Sequence, residues 1–393
     1  MNVSPMERAA WCALNTIFGF EPRTGLALAD AAGGAAAVFS LRSEDLAALS
    51  GASRHLTRQL ARLTPKALDD AARELDGLGR RGYRFLSFAD AAYPPLLREC
   101  EDPPLGLYLR SGTPPEALFP PKRPFIAVVG TRDLSPYGNE WCRKIVSALA
   151  CTAEKPVIVS GLALGTDAVA HRTALECGLG TVAVMATGID AVYPLRHGAL
   201  AEAVASAPGS GLVTDFPPGT APLAAHFLRR NRIIAGLCRA VILTESKIRG
   251  GGMTTARLAA SYSRDVLALP GRADDLRSAG CNRLIRDKVA EPLTELSGLA
   301  DQLGLTGGKR TDRRDLPSEI RSMYAGILPP DEVARLERLA VLVRERRGIS
   351  PEELCRETGL PWAQVSAGTG LLAADGIIGT DLLGNCFIKP KNV

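Results

Sequence analysis

The sequence predicts an α/β fold in which helices cover both faces of a doubly wound, mostly parallel sheet. Three observations predict it. Six short apolar segments recur between residues 121 and 305 without apolar/polar alternation, which is typical of strands buried on both faces. Helical patterns separate most of them, and this strand–helix alternation favours parallel pairing. Several segments end in glycine, hydroxyl or arginine residues, and ligands bind at such strand ends in Rossmann-like sheets.

The strand and helix candidates follow one another along the chain. The strands are FIAVV (125–129), VIVS (157–160), TVAVM (181–185), GLVT (211–214), AVILT (240–244) and DVLALP (265–270). The helical patterns between them include residues 138–151, 167–177, 198–206 and 253–263. We therefore expect an extended Rossmann-like domain over residues 121–305.

The first part of the chain has a different pattern. In residues 1–82, Ala and Leu recur at helical spacing and glycines interrupt the runs. Short helices broken by glycine fit a SAM-like or helix-hairpin-helix domain. Such domains contact either nucleic-acid backbone or protein, and the sequence leaves both open. The Pro-rich residues 83–120 contain two short strand candidates and are expected to form a docking linker.

The last part of the chain predicts a flexible linker and a small domain. Residues 306–330 are polar and basic with Gly and Pro, as in a mobile linker. Residues 331–393 contain three helix candidates and two short strand candidates, which predict a winged helix. Ser350 begins a capping box at the second helix. The third helix, residues 362–374, contains no Lys or Arg, which weakens the case for DNA binding and favours contact with protein.

Composition limits the possible functions. The 393 residues include 47 Lys and Arg and 42 Asp and Glu, for a net charge of +5, so nucleic-acid binding would need a local basic patch. The nine cysteines form no CxxC pair, which argues against a zinc site and favours reduced thiols in a cytoplasmic protein. No apolar run approaches the roughly 20 residues of a membrane span, and no secretion signal is expected.

The most basic segment runs from His226 to Arg264. It holds eight Lys and Arg but one acidic residue, Glu245. The run RRNR precedes a helical pattern, and Gly250–Gly252 lie just downstream. Glycines allow backbone N–H groups to approach an anion closely. A solvated basic face is the simple alternative, but these details favour a site for phosphate groups.

Loops that follow the predicted strands offer further phosphate ligands. Val129 leads into Gly-Thr-Arg, and Ser160 leads into a segment with two glycines before a helix. Because the carboxyl ends of parallel strands lie on one edge of a sheet, we expect these loops to converge with the basic segment. The candidate binding residues are Gly130, Thr131, Arg132, Ser160, Gly161, Gly165, Arg229, Arg230, Asn231, Arg232, Lys247, Arg249, Gly251, Gly252 and Thr254.

Catalysis is the competing hypothesis. Asp167 and His171 lie four residues apart and could act as an acid–base pair in a nucleotide or nucleoside-phosphate hydrolase, with Glu245 as a third candidate. A helix-capping Asp and a buried His explain the same pair. The loops match neither GxGxxG nor the Walker pattern, so no nucleotide cofactor is expected. No Cys/His dyad, zinc spacing or paired catalytic carboxylates stand out, so no metal or catalytic residue is expected either. A pure assembly adaptor, docking through the winged helix, is a third hypothesis.

Seven ordered sequence blocks within residues 84–290 resemble the DNA-processing protein A (DprA/Smf) family. They are DAAYPPLLRECEDPPLGLYLRSG, VVGTRDLSPYG, VIVSGLALGTDAVAHRTAL, TVAVMATGIDAVYP, FLRRNRIIAGLCRAVILTES, TTARLAASYSRDVLALPG and GCNRLI. The resemblance implies a Rossmann-like core that binds single-stranded DNA without catalysis, usually as a homodimer. It also implies protection of incoming strands during natural transformation and a partnership with the RecA recombinase, which the family helps to load.

The family pattern assigns roles to individual positions. Its arginine after Val-Gly-Ser/Thr falls on Arg132, its Arg-Asn-Arg block falls on Arg230, Asn231 and Arg232, and its Ser-Gly-x-Ala-x-Gly block begins at Ser160. Three departures occur. The usual Ser-Glu is Thr214-Asp215, the usual Gly-Ser is Gly251-Gly252, and Lys288 stands where a glycine is expected. The first two keep hydrogen-bonding groups or backbone access.

Overall fold

The computed structural model describes five stretches of the chain. They cover residues 3–41, 54–305, 316–346, 349–380 and 384–388. The first ten positions of the predicted linker, 306–315, lie outside them.

The chain divides into two compact units. They are Met1–Gly307 and Gly308–Val393. The first unit therefore combines the N-terminal helices with the segment that predicted a Rossmann-like core.

Within residues 3–41 and 54–80, five helices precede the sheet. They are α1 (Pro5–Phe18), α2 (Pro22–Ala32), α3 (Ala35–Val38), α4 (Arg54–Leu60) and α5 (Pro65–Arg80). The side chains of Ser4 and Thr64 accept first-turn N–H groups of α1 and α5, and a proline follows each cap. The apolar faces of these helices share one buried cluster with sheet residues such as Tyr108 and Leu212. The helices therefore pack on the sheet within a single unit.

Within the described residues, one sheet of nine strands forms the centre of the first unit. The strands are β1 (Arg84–Ser87), β2 (Gly106–Arg110), β3 (Phe125–Val129), β4 (Val157–Ser160), β5 (Thr181–Val184), β6 (Gly211–Thr214), β7 (Ala240–Leu243), β8 (Asp265–Ala268) and β9 (Glu291–Pro292). β2 pairs antiparallel with β1 and β6, and the other pairs are parallel. Residues 83–120, expected as a docking linker, thus contribute two strands to one edge.

The strand order shows where the chain reverses direction across the sheet. The order is β1-β2-β6-β5-β4-β3-β7-β8-β9. From β3 the chain proceeds outward to β6 on one side, then crosses to β7 and proceeds outward on the other. The loops that follow β3 and β7 therefore diverge, and a crevice opens at their carboxyl ends.

Helices cover both faces of this sheet. They are α6 (Pro95–Arg98), α7 (Pro115–Leu118), α8 (Pro136–Ala150), α9 (Thr166–Glu176), α10 (Gly198–Ser206), α11 (Ala224–Leu237), α12 (Gly251–Ser261), α13 (Ala279–Arg286) and α14 (Leu299–Gln302), with a 3₁₀ turn at Leu195–His197. In β3, Val129 packs in a cluster with Ile233 of α11, whereas Val128 packs in another cluster with Ile145 of α8. Burial on both faces explains the absence of alternation.

The described residues of the second unit form four helices and a two-stranded sheet. They are α15 (Leu316–Tyr324), α16 (Pro330–Arg346), α17 (Pro351–Thr358), α18 (Trp362–Ala374), β10 (Ile378–Thr380) and β11 (Cys386–Ile388). Residues 316–324, expected within the linker, form α15 because Leu316, Ile320 and Tyr324 recur every four residues and are buried. Ser350 forms the capping box of α17.

The predicted fold class is confirmed. The first unit is a mixed α/β structure with a large, mostly parallel, Rossmann-like sheet. Among the helices in the described residues, none combines the length and apolar character that a membrane span requires.

Candidate functional site

A cavity of about 780 Å³, here called the main cavity, opens at the carboxyl ends of β3 and β7. The loops after these strands, helix α11 and the start of α12 form its walls. The predicted site residues that line it are Gly130, Thr131, Arg132, Arg230, Asn231, Lys247, Arg249, Gly251 and Gly252. The other predicted site residues, Ser160, Gly161, Gly165, Arg229, Arg232 and Thr254, do not line it. Sequence elements more than 100 residues apart therefore meet at the switch point of the sheet.

Two glycines shape the loop after β3 through close packing. A Cβ on Gly130 would lie 2.4 Å from Thr166 Oγ1, and a Cβ on Gly165 would lie 2.2 Å from the carbonyl oxygen of Thr131. Gly165 also adopts a φ of 72°, which favours glycine. These glycines let the loop after β3 lie against the start of α9, which fixes the position of Arg132.

The Ser160–Gly161 segment does not line the cavity but contacts residues that form its wall. The Ser160 hydroxyl is buried and donates to the Val128 carbonyl at 2.7 Å. The Gly161 carbonyl accepts a hydrogen bond from Arg230 Nη1 at 2.7 Å, and a Cβ on Gly161 would lie 2.5 Å from that guanidinium. Ser160 therefore links β4 to β3 through its hydroxyl, and Gly161 holds Arg230 through its backbone carbonyl.

Arg230 is the buried cation of the main cavity. Its side chain is 4 % exposed and also donates to the Val184 carbonyl. The pKa of Arg230 is lowered to about 10, chiefly by burial; Asp167 opposes this shift, and nearby Arg132 contributes to it. The group remains protonated at neutral pH, so it places a fixed positive charge in the wall of the cavity.

Arg229 and Arg232, both predicted site residues, are ion-paired within the protein. Both guanidinium groups bind Oδ2 of Asp215, at 2.6 Å and 2.7 Å, and this carboxylate is fully buried. The Arg229 guanidinium also contacts the rings of Phe20 and Phe216, 4.2 Å and 4.5 Å from their centroids. A buried pair already satisfied by protein groups is not free to bind phosphate. These contacts with Asp215 anchor α11.

Sequence reasoning missed two aromatic residues of the main cavity. The Arg132 guanidinium lies 4.8 Å from the centroid of the Phe227 ring, and Tyr193 meets that ring edge-on at 5.6 Å. Phe227 precedes Arg230 by three positions and Asn231 by four, and helical spacing therefore places the three residues on one face of α11. That spacing was the signal that could have identified Phe227.

The third wall of the cavity is the loop after β7 with the start of α12. Lys247 and Arg249 are exposed, and neither forms an ion pair within residues 54–305. Space around a Cβ on Gly251 is open, so an anion can approach the first N–H groups of α12. Asn231 donates to the Gly251 carbonyl at 3.5 Å and links α11 to this wall. Thr255, rather than Thr254, lines the cavity.

The carboxylates near the cavity are engaged by the protein. Asp167 lines the cavity and accepts the N–H groups of Gly161 and Ala163 at 3.1 Å and 3.2 Å. Burial raises the pKa of Asp167, which Arg230 opposes. Glu245 is fully buried and accepts the N–H of Ser135 at 3.0 Å. Their hydrogen bonds position loops.

His171 does not pair with Asp167. It is fully buried, lies outside the cavity lining, and places Nδ1 2.7 Å from Thr181 Oγ1. The Thr181 hydroxyl donates to the Ile158 carbonyl, so Nδ1 of His171 carries the proton. Burial lowers the pKa of His171 to about 3, which keeps it neutral. Within the described residues, no cluster of three His, Cys, Asp or Glu side chains could hold a metal ion.

Fold and cavity together define a class: a Rossmann-like protein whose switch-point cleft is lined by cations, backbone amides and an aromatic pair. Comparison with known families identifies the member. Residues 84–304, more than half of the chain, match the family DNA recombination-mediator protein A. The chain belongs to this family, and the resemblance to DprA/Smf proteins is confirmed.

Individual relatives agree with this assignment. The putative DNA processing protein DprA of Mycobacterium tuberculosis is 32% identical over 337 residues, covering 79% of this chain and 84% of the relative. The DprA of Streptococcus pneumoniae is 39% identical over 212 residues, covering 53% of this chain and 72% of the relative. The X-ray structure of the Streptococcus pneumoniae protein is 31% identical to this chain, with a TM-score of 0.59. The match covers 76% of this chain and 98% of the solved chain.

A second solved relative is described by the ligand that it binds. The DprA of Helicobacter pylori, described for its single-stranded DNA binding mode, is 27% identical over 56% of this chain and 95% of its own, with a TM-score of 0.50.

Proposed function

We propose that the main cavity binds single-stranded DNA through its phosphate backbone, without sequence preference and without chemical change. The observation that carries the proposal is the set of cations that converge on one cavity from two separate loops and a helix. Arg132, Arg230, Lys247 and Arg249 all line it. Such a site suits a polyanion, and backbone contacts carry no sequence information.

The aromatic pair favours a single strand over a duplex. Unstacked bases can stack on aromatic rings, whereas the bases of a duplex remain stacked on one another. Phe227 and Tyr193 line the same cavity as the cations, so a strand could place phosphates on arginine and a base on Phe227. The volume of about 780 Å³ is typical of cavities that hold a small molecule, which suits a short stretch of one strand. The described binding mode of the Helicobacter pylori relative supports this ligand.

Catalysis is the less favoured function. Asp167 caps backbone N–H groups and His171 lies buried away from the cavity. The hydrolase hypothesis predicts release of base or phosphate from nucleoside monophosphates, and loss of that turnover in Asp167→Asn. We expect no turnover from the wild-type protein.

The wider role rests on the family resemblance. We infer that the protein protects incoming single strands in the cytoplasm during natural transformation, acts as a homodimer and helps to load RecA. We also propose that the N-terminal helices are a SAM-like or helix-hairpin-helix region and that the second unit is a winged helix. Since α18 contains no Lys or Arg, we propose that this unit contacts protein.

Fluorescence anisotropy with labelled oligonucleotides tests the binding proposal. Single strands of different sequence should bind equally and more tightly than duplex, with log affinity falling by about 0.7 per phosphate contacted for each unit of log salt. Arg132→Gln should weaken binding of every sequence by about tenfold or more, since hydrogen bonds to charged groups contribute about 1.5–3 kcal/mol.

Arg257→Gln is the matched control for this measurement. It removes the same charge from an exposed position of α12 that does not line the cavity. Equal affinities of the folded Arg132→Gln protein and the wild type would refute the assignment of the site.

A further inference from the structure

A second cavity borders the main cavity. It has a volume of about 470 Å³, and Arg132 and Asp133 line both. We call it the flanking cavity. Arg172 of α9 and Arg196 of the 3₁₀ turn also line it. Three guanidinium groups therefore surround a space that opens beside the proposed strand-binding site.

The two additional arginines are free of carboxylate partners within residues 54–305. Both are exposed, whereas basic residues on the neighbouring helix α8 are paired: Arg143 binds Glu176 at 3.2 Å and Lys144 binds Glu140 at 2.6 Å. The flanking cavity thus concentrates cations whose charge the surrounding chain does not neutralise, and this favours an anionic ligand.

The acidic residue of this cavity is engaged elsewhere. Asp133 Oδ2 lies 3.1 Å from a guanidinium nitrogen of Arg277, and the Asp133 carbonyl accepts a second hydrogen bond from that side chain at 3.2 Å. Asp133 is therefore held by Arg277, and it leaves the three arginines of the flanking cavity available.

A buried histidine fixes the position of Arg196. The neighbouring His197 is 4 % exposed, and its Nδ1 lies 2.8 Å from the Leu162 carbonyl oxygen. This contact attaches the 3₁₀ turn to the loop after β4. Arg196 is thus presented from a fixed turn, which reduces the conformational entropy lost when it binds.

The remaining lining suits phosphate better than a base. The residues include Gly165 at the start of α9, together with Leu164, Ala168 and Val169. The helix start adds partial positive charge. The lining contains no Phe, Tyr or Trp, in contrast to the Phe227–Tyr193 pair of the main cavity. A strand entering this space would be held by its backbone.

We propose that the flanking cavity is a subsite for phosphates adjacent to the segment in the main cavity, with Arg132 contacting the strand where it passes from one cavity to the other. The inference rests on the proposed function and adds the direction in which the strand extends. Affinity should therefore rise with strand length, and the gain should come from phosphates rather than bases.

The test compares a four-nucleotide thymidine strand with an eight-nucleotide strand by anisotropy across a salt series. For the wild type, the longer strand should bind at least tenfold more tightly, with a log–log salt slope steeper by about 1.4, which is two phosphates at about 0.7 each. Arg172→Gln/Arg196→Gln should lose this gain and keep the affinity for the short strand. Arg257→Gln/Arg286→Gln, with the same charge change outside both cavities, should retain it.

An eight-nucleotide strand with abasic sites in its added half separates phosphate from base contacts. It should keep the length gain. Retention of the gain by Arg172→Gln/Arg196→Gln, with normal short-strand binding, overturns the subsite alone, and so does loss of the gain on abasic substitution. Failure of the wild type to bind either strand overturns the proposed function as well. Thermal melts should show that the variants fold, since both arginines are exposed.

Discussion

The two faces of α11 use the same residue type in opposite ways. On one face, Arg229 and Arg232 bind the buried Asp215 and hold the helix on the sheet. On the other, Phe227 and Arg230 line the main cavity. All three arginines are largely buried, so the difference lies in the partner. A carboxylate neutralises Arg229 and Arg232, whereas Arg230 donates to two backbone carbonyls and keeps its positive charge. A run of arginines therefore indicates positive charge without indicating which charges are free to bind.

Removal of Asp215 should produce the largest effect. Asp215→Ala leaves two nearly buried guanidinium groups without their carboxylate, and breaking a buried ion pair costs about 3–5 kcal/mol. The free energy of unfolding from urea denaturation should fall by that amount. DNA affinity should also fall, because α11 carries Phe227 and Arg230.

The control for this change is Asp274→Ala. Asp274 pairs with Arg272 at 3.0 Å on the surface, and exposed pairs contribute little. Its denaturation midpoint should match the wild type. Wild-type stability of Asp215→Ala would contradict the anchoring role of Arg229 and Arg232.

The second prediction concerns acid stability and extends the comparison to another buried group. The pKa of His171 is about 3 in the folded protein and about 6.5 in an unfolded chain. Between these two pH values the unfolded state binds more protons than the folded state. The contribution of His171 to the free energy of unfolding is therefore fully present above about pH 6.5 and decreases as the pH falls toward 3. The slope from this one group reaches about 1.4 kcal/mol per pH unit.

His171→Asn should flatten that slope, because an amide can replace the Nδ1 donor to Thr181 without titrating. Urea denaturation at several pH values measures it. An unchanged slope in the variant would show that His171 does not control acid sensitivity.

The smallest effect should come from replacing Phe227, the aromatic residue on the cavity-facing side of α11. Phe227→Leu should weaken single-strand binding by about 1–3 kcal/mol, the usual contribution of stacking per base, and should leave the salt slope unchanged because no phosphate contact is lost. Phe20→Leu changes the ring that stacks on Arg229 outside the main cavity. It should bind DNA normally, and equal losses in both variants would remove the distinction between the two faces.

The core strands were predictable from sequence because burial on both faces leaves a direct pattern. The segments at residues 125–129, 157–160 and 211–214 coincide with β3, β4 and β6. The pairing of β2 with β6 was not predictable, since it joins segments about 100 residues apart and depends on tertiary packing. Helix α15 was missed because its three buried residues lie within a polar, basic segment.

The site was predictable in outline because carboxyl ends of parallel strands share one edge. Arg132, Arg230 and Lys247 were expected to lie together, and all three residues line the main cavity. The ion pair of Arg229 with Asp215 could not be predicted from sequence. The two residues lie 14 positions apart in the chain, and they come into contact only when α11 packs on the sheet.

The short final strand of the sheet has a consequence for self-association. β9 contains two residues, Glu291 and Pro292. Proline has no N–H to offer a further strand, and a charged neighbour discourages close approach by another chain. Strand β9 is therefore too short to pair with an edge strand of a second copy and extend the sheet. Any homodimer contact at this edge would have to form through side chains rather than through backbone hydrogen bonds.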